Sequence, residues 1–314
     1  MEGKRVLVTG GAGFIGSHLV ERLGARNEVT VLDDLSTGSL RNLAAVPGEL
    51  HVKRASILDT DVVAPAMAGQ DVVYHLAART SVPESIAKPD AYWRTNVEGT
   101  LTILKAAADA RVRRVVFTSS AAVYGTSEVN PKVETMRPEP ASPYATTKMV
   151  GEFACVEIAS LKGLATVAVR VFNAYGPRQD PTSAYAGVIA KFCTAFAAGK
   201  PIEIHGDGQQ TRDFLYVGDL AEALELAGEG PVADQVLNLG SGKATSVNEV
   251  ARVLSEITHT SPRMAHKRPR DGDIRHSLAD IGKAREKLGF RPRTSLREGL
   301  EKTLAFFRTE GTPA

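Results

Sequence analysis

Apolar residues recur along the first half of the chain at two spacings. Short continuous apolar runs alternate with longer stretches in which apolar positions return every three or four residues. Val6-Leu7-Val8 is the first run, and residues 14–23 follow with helical spacing. Val29-Thr30-Val31-Leu32 is the second run; Leu50-His51-Val52 is a third, weakened by polar neighbours. Residues 71–76 read as a fourth strand and 112–118 as a fifth, β-branched one, with a helical pattern over 90–110 between them. Residues 144–161 are helical again, and 164–172 form another buried strand. Such alternation predicts an α/β protein with a doubly wound parallel sheet and helices on both faces.

After Asn173 the texture changes. Residues 176–181 read as a loop, 184–198 as a helix, 202–204 as a short strand and Gly206-Asp207-Gly208 as a turn. Segments 214–217 and 236–239 either rejoin the first sheet or cross between lobes. Residues 280–288 and 296–307 are expected to be closing helices, with a frayed tail at 311–314. The expected division is a first domain over 1–172 with a return of 213–239, and a smaller C-terminal substrate-binding domain over 173–314. No tandem repeat or low-complexity segment interrupts this plan.

The first strand ends in a glycine-rich turn. Gly10, Gly13 and Gly16 recur every third residue, and residues 11–16 also fit G-x-G-x-x-G. The turn needs small residues, Gly13 lets backbone approach a diphosphate, and Gly16 lets the helix pack closely on the sheet. The helix start, at Phe14 and Ile15, offers unpaired N–H groups and partial positive charge to that diphosphate. Asp33 ends the second strand at the distance where a carboxylate accepts from both ribose hydroxyls of NAD. No Lys or Arg follows before Arg41, and Asp34 adds negative charge against a 2′-phosphate. A Rossmann-type site for NAD, in preference to NADP, is expected. The blander reading, a turn of small residues with a strand-end acid, is weakened by the strand before it and the helix after it.

Composition narrows the classes further. The 314 residues are 43% hydrophobic and 24% charged, with a net charge of +2. That balance argues against nucleic acid as a partner. No stretch is apolar for long enough to cross a bilayer, and no signal peptide is visible, so a cytoplasmic location without membrane partners is expected. The two cysteines, Cys155 and Cys193, read as buried free thiols of a reducing compartment. No metal site is expected.

Tyr144 and Lys148 are four residues apart, on one face of the 144–161 helix. A phenol is a poor base at neutral pH; a nearby ammonium, with the positive ring of NAD⁺, is expected to lower its pKa. Lys148 can also hold the nicotinamide ribose. Ser120, at a strand end, can donate to a substrate hydroxyl beside Tyr144 or relay its proton. The plainer reading of Ser119-Ser120, a capped strand end, fits Ser119. A Y-x-x-x-K pair by itself is common on helix surfaces and gains meaning only behind the glycine turn.

Six segments then occur in order: residues 9–16 (TGGAGFIG), 75–78 (HLAA), 96–100 (NVEGT), 119–125 (SSAAVYG), 142–148 (SPYATTK) and 170–178 (RVFNAYGPR). Together they resemble the extended short-chain dehydrogenase/reductase family, in its NAD-dependent nucleotide-sugar epimerase/dehydratase branch. The resemblance implies that Ser120, Tyr144 and Lys148 are catalytic. It adds Ser56, Ile57, Leu76, Ala77, Ala78 and Asn96 to the cofactor-binding residues. It implies that Asn173, Arg212 and Arg270 bind a sugar-nucleotide diphosphate and that Asp273 takes the nucleoside ribose. A guanidinium suits a diphosphate because its fork donates two parallel charged bonds. A solvated basic face remains the reading for Lys267 and Arg268. Two departures stand out. Ser56-Ile57 replaces an Asp-Ile step that meets the adenine amine, and Thr80 stands where several hexose epimerases carry Lys.

Ala121 and Ala122 occupy the positions where dehydratases of the branch carry an Asp-Glu pair and decarboxylases keep a Glu. Alanine transfers no proton, so elimination would lack its acid and base. Epimerisation at C4 needs neither, and the resemblance therefore implies a UDP-sugar 4-epimerase acting on UDP-glucose and UDP-galactose. Ser277 falls where a large aromatic narrows the site in relatives; a small residue there leaves room for an N-acetyl group, so UDP-GlcNAc and UDP-GalNAc are expected as well. An ordinary strand residue is the competing reading of Ser277. UDP-glucuronate is the rival substrate, and another dehydratase or reductase the rival reaction. A non-catalytic NAD sensor conflicts with the intact Tyr/Lys pair. Relatives pair through a four-helix bundle, which implies a homodimer with Trp93, Leu101, Leu104, Phe153 and Val156 as candidate contacts.

Overall fold

The computed structural model describes residues 1–181, 187–269 and 274–309. Its first half runs β1 (Arg5–Thr9), α1 (Phe14–Gly24), β2 (Glu28–Asp33), β3 (Leu50–Arg54), α2 (Thr60–Met67), β4 (Val72–His75), α3 (Val82–Ala87), α4 (Pro89–Tyr92), α5 (Gly99–Asp109), β5 (Arg114–Ser120), α6 (Pro143–Lys162) and β6 (Ala165–Val171). The second half runs β7 (Asn173–Tyr175), α7 (Val188–Ala197), β8 (Ile202–His205), β9 (Thr211–Tyr216), α8 (Val217–Glu229), β10 (Gln235–Leu239), β11 (Ala244–Ser246), α9 (Val247–Thr258), β12 (Met264–Lys267), α10 (Gly282–Leu288) and α11 (Leu296–Thr309).

Seven strands form one sheet in the order β10-β6-β5-β4-β1-β2-β3, every neighbouring pair parallel. The order reverses between β1 and β4, so a crevice opens beyond their carboxyl ends, where such sheets bind ligands. The two-residue period of a strand explains why both faces are covered. Val6 and Val8 pack with Leu19, Leu220 and Leu224 on one face, while Leu7 packs with Met67, Ile103 and Leu104 on the other. The weak apolar character of 50–54 also has a cause: β3 is an edge strand and its side chains are largely exposed.

A separate apolar cluster joins α7, α9 and α11 to Ile202, Ile204 and Phe214. It backs a three-stranded sheet, β11-β9-β7, and the pair β12-β8. Of the expected return segment, β10 lies in the large sheet and Leu220 and Leu224 of α8 lie in its core, whereas β9 belongs to the three-stranded sheet. The pattern read as one helix over 90–110 is three pieces: α4, a π-helical stretch Trp93–Glu98, and α5. Helical periodicity carries through the wider turn, so the pattern alone does not show it. The helix expected from Asp280 starts at Gly282, whose N–H is taken by the Asp280 carboxylate at 2.7 Å. No described helix is long and apolar enough to cross a membrane.

Candidate active site

At the end of β1 the glycines do different things. Gly10 has φ +70°, and a Cβ on it would lie 2.7 Å from the Ala77 nitrogen. A Cβ on Gly16 would lie 2.1 Å from the Gly10 carbonyl oxygen, which fixes how closely α1 meets the turn. At Gly13 the only near atom is that same oxygen, at 3.2 Å, so the approach to the helix start is open. Ser81, Ser142 and Ser246 cap α3, α6 and α9 with side-chain oxygens, but α1 has no side-chain cap and no acid in its first turn. The N–H groups of Phe14, Ile15 and Gly16 therefore face outward without a helical partner, as an anionic diphosphate requires. Asp33 is buried at the end of β2. One carboxylate oxygen accepts from Ala12 N at 2.9 Å and the other from Leu35 N at 2.8 Å. Each oxygen keeps a lone pair, so the carboxylate is oriented by the turn and still able to accept from a ribose hydroxyl.

A buried hydrogen-bond chain ties this turn to the neighbouring loop. Thr100 Oγ1 donates to the Asn96 carbonyl at 2.6 Å, so it must accept from His75 Nε2 at 2.9 Å. His75 Nδ1 then accepts from Thr9 Oγ1 at 2.7 Å, and Thr9 Oγ1 accepts from Ala77 N at 3.2 Å. Each donor has one acceptor and each acceptor one donor, which fixes a neutral imidazole. Burial, with the charge of Lys148, agrees and pushes the imidazole down to about 3. The chain holds Leu76, Ala77 and Ala78 against Gly10. Asn96 continues it: its amide group brackets the backbone of Arg79 and donates to Thr147 Oγ1 at 3.1 Å. The structure thus gives the Asn96 side chain a loop-fixing task. Ser56 follows β3 beside Asp33, with Ala55 N on the Asp33 carbonyl, and its hydroxyl accepts from Leu58 N. Ile57 is buried against Gly99.

Ser120, Tyr144 and Lys148 meet where β5 ends and α6 begins. Ser142 caps α6 and Pro143 starts it, which sets Tyr144 in the first turn. Tyr144 is buried, stands edge-on to Tyr92 with ring centroids 6.5 Å apart, and hydrogen-bonds to the Ser120 hydroxyl. Ser120 Oγ also accepts from Ala122 N at 3.2 Å. Strand capping thus falls to Ser120, while Ser119 Oγ points to Glu152 at 2.5 Å, reversing the expectation for Ser119.

The electrostatics differ from the expectation as well. Burial raises the Tyr144 pKa, the Ser120 hydrogen bond opposes that rise, and Lys148 is not among the groups that act on it. The Lys148 ammonium donates to the Thr118 carbonyl at 2.7 Å and lies 5.1 Å over the Phe117 ring. Its own burial lowers it to about 8. Four-residue spacing places two side chains on one helix face; it does not say that desolvation exceeds their mutual interaction.

Beyond Ser120 a cleft of about 580 Å³ opens, lined by Asn173, Gln179, Lys191, His205, Gln210 and Arg212 among others. Ser120 pairs in register with Val171, so Asn173 lies two residues past the level of Ser120. Asn173 on β7 pairs with Phe214 on β9, which brings Arg212 to the same cleft. Arg212 Nη1 also donates to the Thr211 carbonyl at 2.8 Å. Ser277 is buried beside Thr211, its N–H on the Thr211 carbonyl at 3.2 Å, and is not on the wall of that cleft. Arg270 and Asp273 lie outside the described residues.

Two groups near the site escaped the reading of the sequence. Arg178, at φ +66°, pairs with Glu21, and Pro177 O meets His18 Nε2 at 3.0 Å, so the segment after β7 is fastened to α1. Glu152 lies two turns beyond Tyr144 and is held by Arg170 through two bonds of 2.9 and 2.8 Å. Both arginines stand in the 170–178 segment, but nothing local in that segment names their partners. The homodimer candidates also separate: Trp93, Phe153 and Val156 are exposed, while Leu104 is buried in the core and Leu101 packs against it.

The sequence pattern of the NAD dependent epimerase/dehydratase family matches residues 6–240. A UDP-glucose 4-epimerase of Mycolicibacterium smegmatis is 41% identical over 311 residues, covering 98% of this chain and 99% of that protein. A UDP-N-acetyl-alpha-D-glucosaminuronate decarboxylase of Bacillus cytotoxicus is 36% identical over 317 residues, covering 97% and 98%. Among solved structures, the UDP-N-acetylglucosamine 4-epimerase of Methanobrevibacter ruminantium, in complex with UDP-N-acetylmuramic acid, superposes with a TM-score of 0.95 at 38% identity over 98% of this chain and 99% of that one. With a family pattern over most of its length and full-length relatives above 30% identity, the chain belongs to the NAD dependent epimerase/dehydratase family, and NAD is its cofactor.

Proposed function

We propose that the protein interconverts a UDP-hexose and its C4 epimer, UDP-glucose and UDP-galactose first, with UDP-GlcNAc and UDP-GalNAc as further substrates. The observation that carries this reading is a Ser120–Tyr144 pair flanked by Ala121 and Ala122. Tyr144 takes the C4 hydroxyl proton as a phenolate, the form that the positive ring of bound NAD⁺ would favour against burial, and Ser120 holds that hydroxyl in line. When bound, NAD⁺ supplies the reversible oxidation, taking the C4 hydride and giving it back. Lys148 holds the nicotinamide ribose. Asn173 and Arg212 hold the substrate diphosphate while the 4-keto sugar turns over, and Arg270 and Asp273 complete the nucleotide grip. Glu152, the buried carboxylate on the Tyr144 face of α6, is bound by Arg170 and Ser119 and so does not replace an acid at position 121 or 122. That argues against elimination and against the decarboxylation named for the Bacillus relative.

The names of the Mycolicibacterium and Methanobrevibacter proteins support the same reading. The described residues after 172, without α8, β10 and α10, whose Ala284 and Leu288 pack in the core of the large sheet, form the nucleotide-sugar lobe. Exposed Trp93, Phe153 and Val156 support a homodimer, and buried free Cys155 and Cys193 suit the cytoplasm. The purified protein given UDP-galactose and NAD⁺ is expected to yield UDP-glucose. An unsaturated or 4-keto-6-deoxy product overturns the reading.

A further inference from the structure

Three consecutive residues at the end of β5 are each fastened to α6. The Thr118 carbonyl accepts from Lys148, the Ser119 hydroxyl donates to Glu152, and the Ser120 hydroxyl meets Tyr144. On the helix these partners are Tyr144, Lys148 and Glu152, four residues apart and therefore about 6 Å apart along one face. Two of the three rungs belong to the proposed reaction. The third, Glu152, has no part in that reaction, yet it is the most heavily bound.

Glu152 Oε1 accepts from Ser119 at 2.5 Å and from Arg170 Nε at 2.9 Å; Oε2 accepts from Arg170 Nη2 at 2.8 Å. Side-chain exposure is 6% for Glu152 and 4% for Arg170. Arg170 is the register partner of Ser119 on β6, and its guanidinium lies 4.8 Å over the ring of Tyr124. Tyr124 belongs to the 3₁₀ turn that Ser120 caps, and its hydroxyl donates to Asn238 on β10 at 2.7 Å. One ion pair thus touches β5, β6, α6 and the turn carrying Ala121 and Ala122.

We propose that Glu152 and Arg170 are a positioning pair for the reaction, fixing the register of α6 on β5 so that the Tyr144 and Ser120 hydroxyls stay in contact, and presenting no net charge to Lys148. The proposal rests on the reading of Ser120 and Tyr144 as the reacting pair. The pairing matters because a lone buried charge on the next turn of the helix face that carries Lys148 would bias its titration. Further titratable groups are Tyr144, one turn away on the same helix, and neutral His75 on β4, on which the Lys148 charge acts. A guanidinium cannot shed its proton, so removing only the carboxylate leaves the buried Arg170 charge without its partner.

The test is titration of the Lys148 side chain in NAD-bound protein, followed by NMR of ¹³C-labelled lysine and assigned by the signal lost in Lys148→Met. Glu152→Gln is expected to lower the Lys148 midpoint by about half a pH unit or more. The neutral double variant Glu152→Gln/Arg170→Met is expected to return it to within about 0.2 unit. A midpoint unmoved in the single variant, or equally displaced in the double, overturns the charge balance; generic structural damage does not reverse on adding a second substitution. Ser119→Ala, which keeps the ion pair, tests positioning. Its kcat on UDP-galactose is expected to fall about threefold or more while KM, NAD content and the Lys148 midpoint hold. An unchanged kcat overturns positioning. Should Glu152→Gln not fold, the double variant is decisive: its midpoint must match the wild type. Absence of turnover in the wild type would refute the epimerase reading alone, because the NMR titration needs no substrate.

Discussion

The carboxyl edge of the large sheet and the cleft beyond it are built on opposite plans. At the sheet edge, Thr9, His75, Thr100, Asn96, Thr147, Ser119, Glu152 and Arg170 are all buried, and they hydrogen-bond chiefly to one another or to backbone. In the cleft, Asn173 is exposed, Arg212 is half-buried, and the supporting strands belong to sheets of two and three members. Proton and hydride transfer tolerate displacements well under an ångström, so the reacting groups are mounted on the most constrained part of the molecule. Under the proposed function, recognition of the sugar nucleotide is shared among several polar groups of the cleft. The contrast predicts that substitutions at the sheet edge act on kcat or on cofactor, and those in the cleft on KM and substrate choice.

The largest effect belongs to Tyr144→Phe. It removes the proton-accepting oxygen and leaves the ring packed on Tyr92. Turnover is expected to fall by about 10²–10⁴, with NAD still bound and the melting temperature close to wild type. Initial rates and the cofactor content of the purified variant check this; near-full activity would exclude Tyr144 as the base.

Asp33→Asn comes next. The amide keeps one acceptor for either Ala12 N or Leu35 N and turns a donor toward the other, so the glycine turn loses part of its orientation as well as the ribose acceptor. NAD affinity is expected to drop about 10- to 100-fold, by roughly 1.4–2.7 kcal/mol, and the preference over NADP to shrink. Calorimetric titration with both nucleotides measures it. Tighter NADP than NAD binding in the wild type would show that Asp33 does not discriminate.

The sheet edge was legible in sequence where local spacing carries the information, and only there. Glycines three apart, an acid at a strand end and a Tyr/Lys pair one turn apart name the parts of the site. They do not give depth. Lys148 was read as a charge acting on Tyr144, yet full burial makes desolvation the controlling effect on both groups. Nor do they give partners distant in the chain. Glu152 and Arg170 meet only because β5 and β6 pair with Ser119 opposite Arg170. The π-helical stretch at Trp93–Glu98, which aims Asn96 at Arg79 and Thr147, hides inside an unbroken apolar rhythm. In the cleft, even the strands were hard to place: β7, β9 and β11 have three to six residues, and their pairing joins segments far apart in the chain.

Burial of Lys148 also makes a stability prediction. Its folded pKa, about 8, lies below the unfolded value near 10.4, so the folded state sheds the proton first. Between those values the unfolded chain binds more protons, and stability rises with pH. Below pH 8 the ammonium costs the folded protein at most about 3 kcal/mol. Lys148→Met, in cofactor-free protein, is therefore expected to melt above the wild type at pH 7, and the gap to close between pH 8 and 10. A gap that widens with pH would mean that the bond to the Thr118 carbonyl outweighs desolvation.

Ser277→Tyr is expected to have the smallest effect and sharpens the contrast most. Ser277 is anchored through its backbone to Thr211, the residue before Arg212, so a larger side chain there presses on the strand that carries Arg212. If position 277 gates the N-acetyl group, turnover of UDP-GlcNAc falls about tenfold relative to UDP-glucose, roughly 1.4 kcal/mol of discrimination, through KM more than kcat, with NAD content unchanged. Steady-state rates on the two sugars, with melting temperature as a control, decide the matter. Equal loss on both would mean that position 277 shapes the lobe without gating the N-acetyl group. A change confined to kcat would mean that the cleft and the sheet edge are more tightly coupled than their separate cores imply.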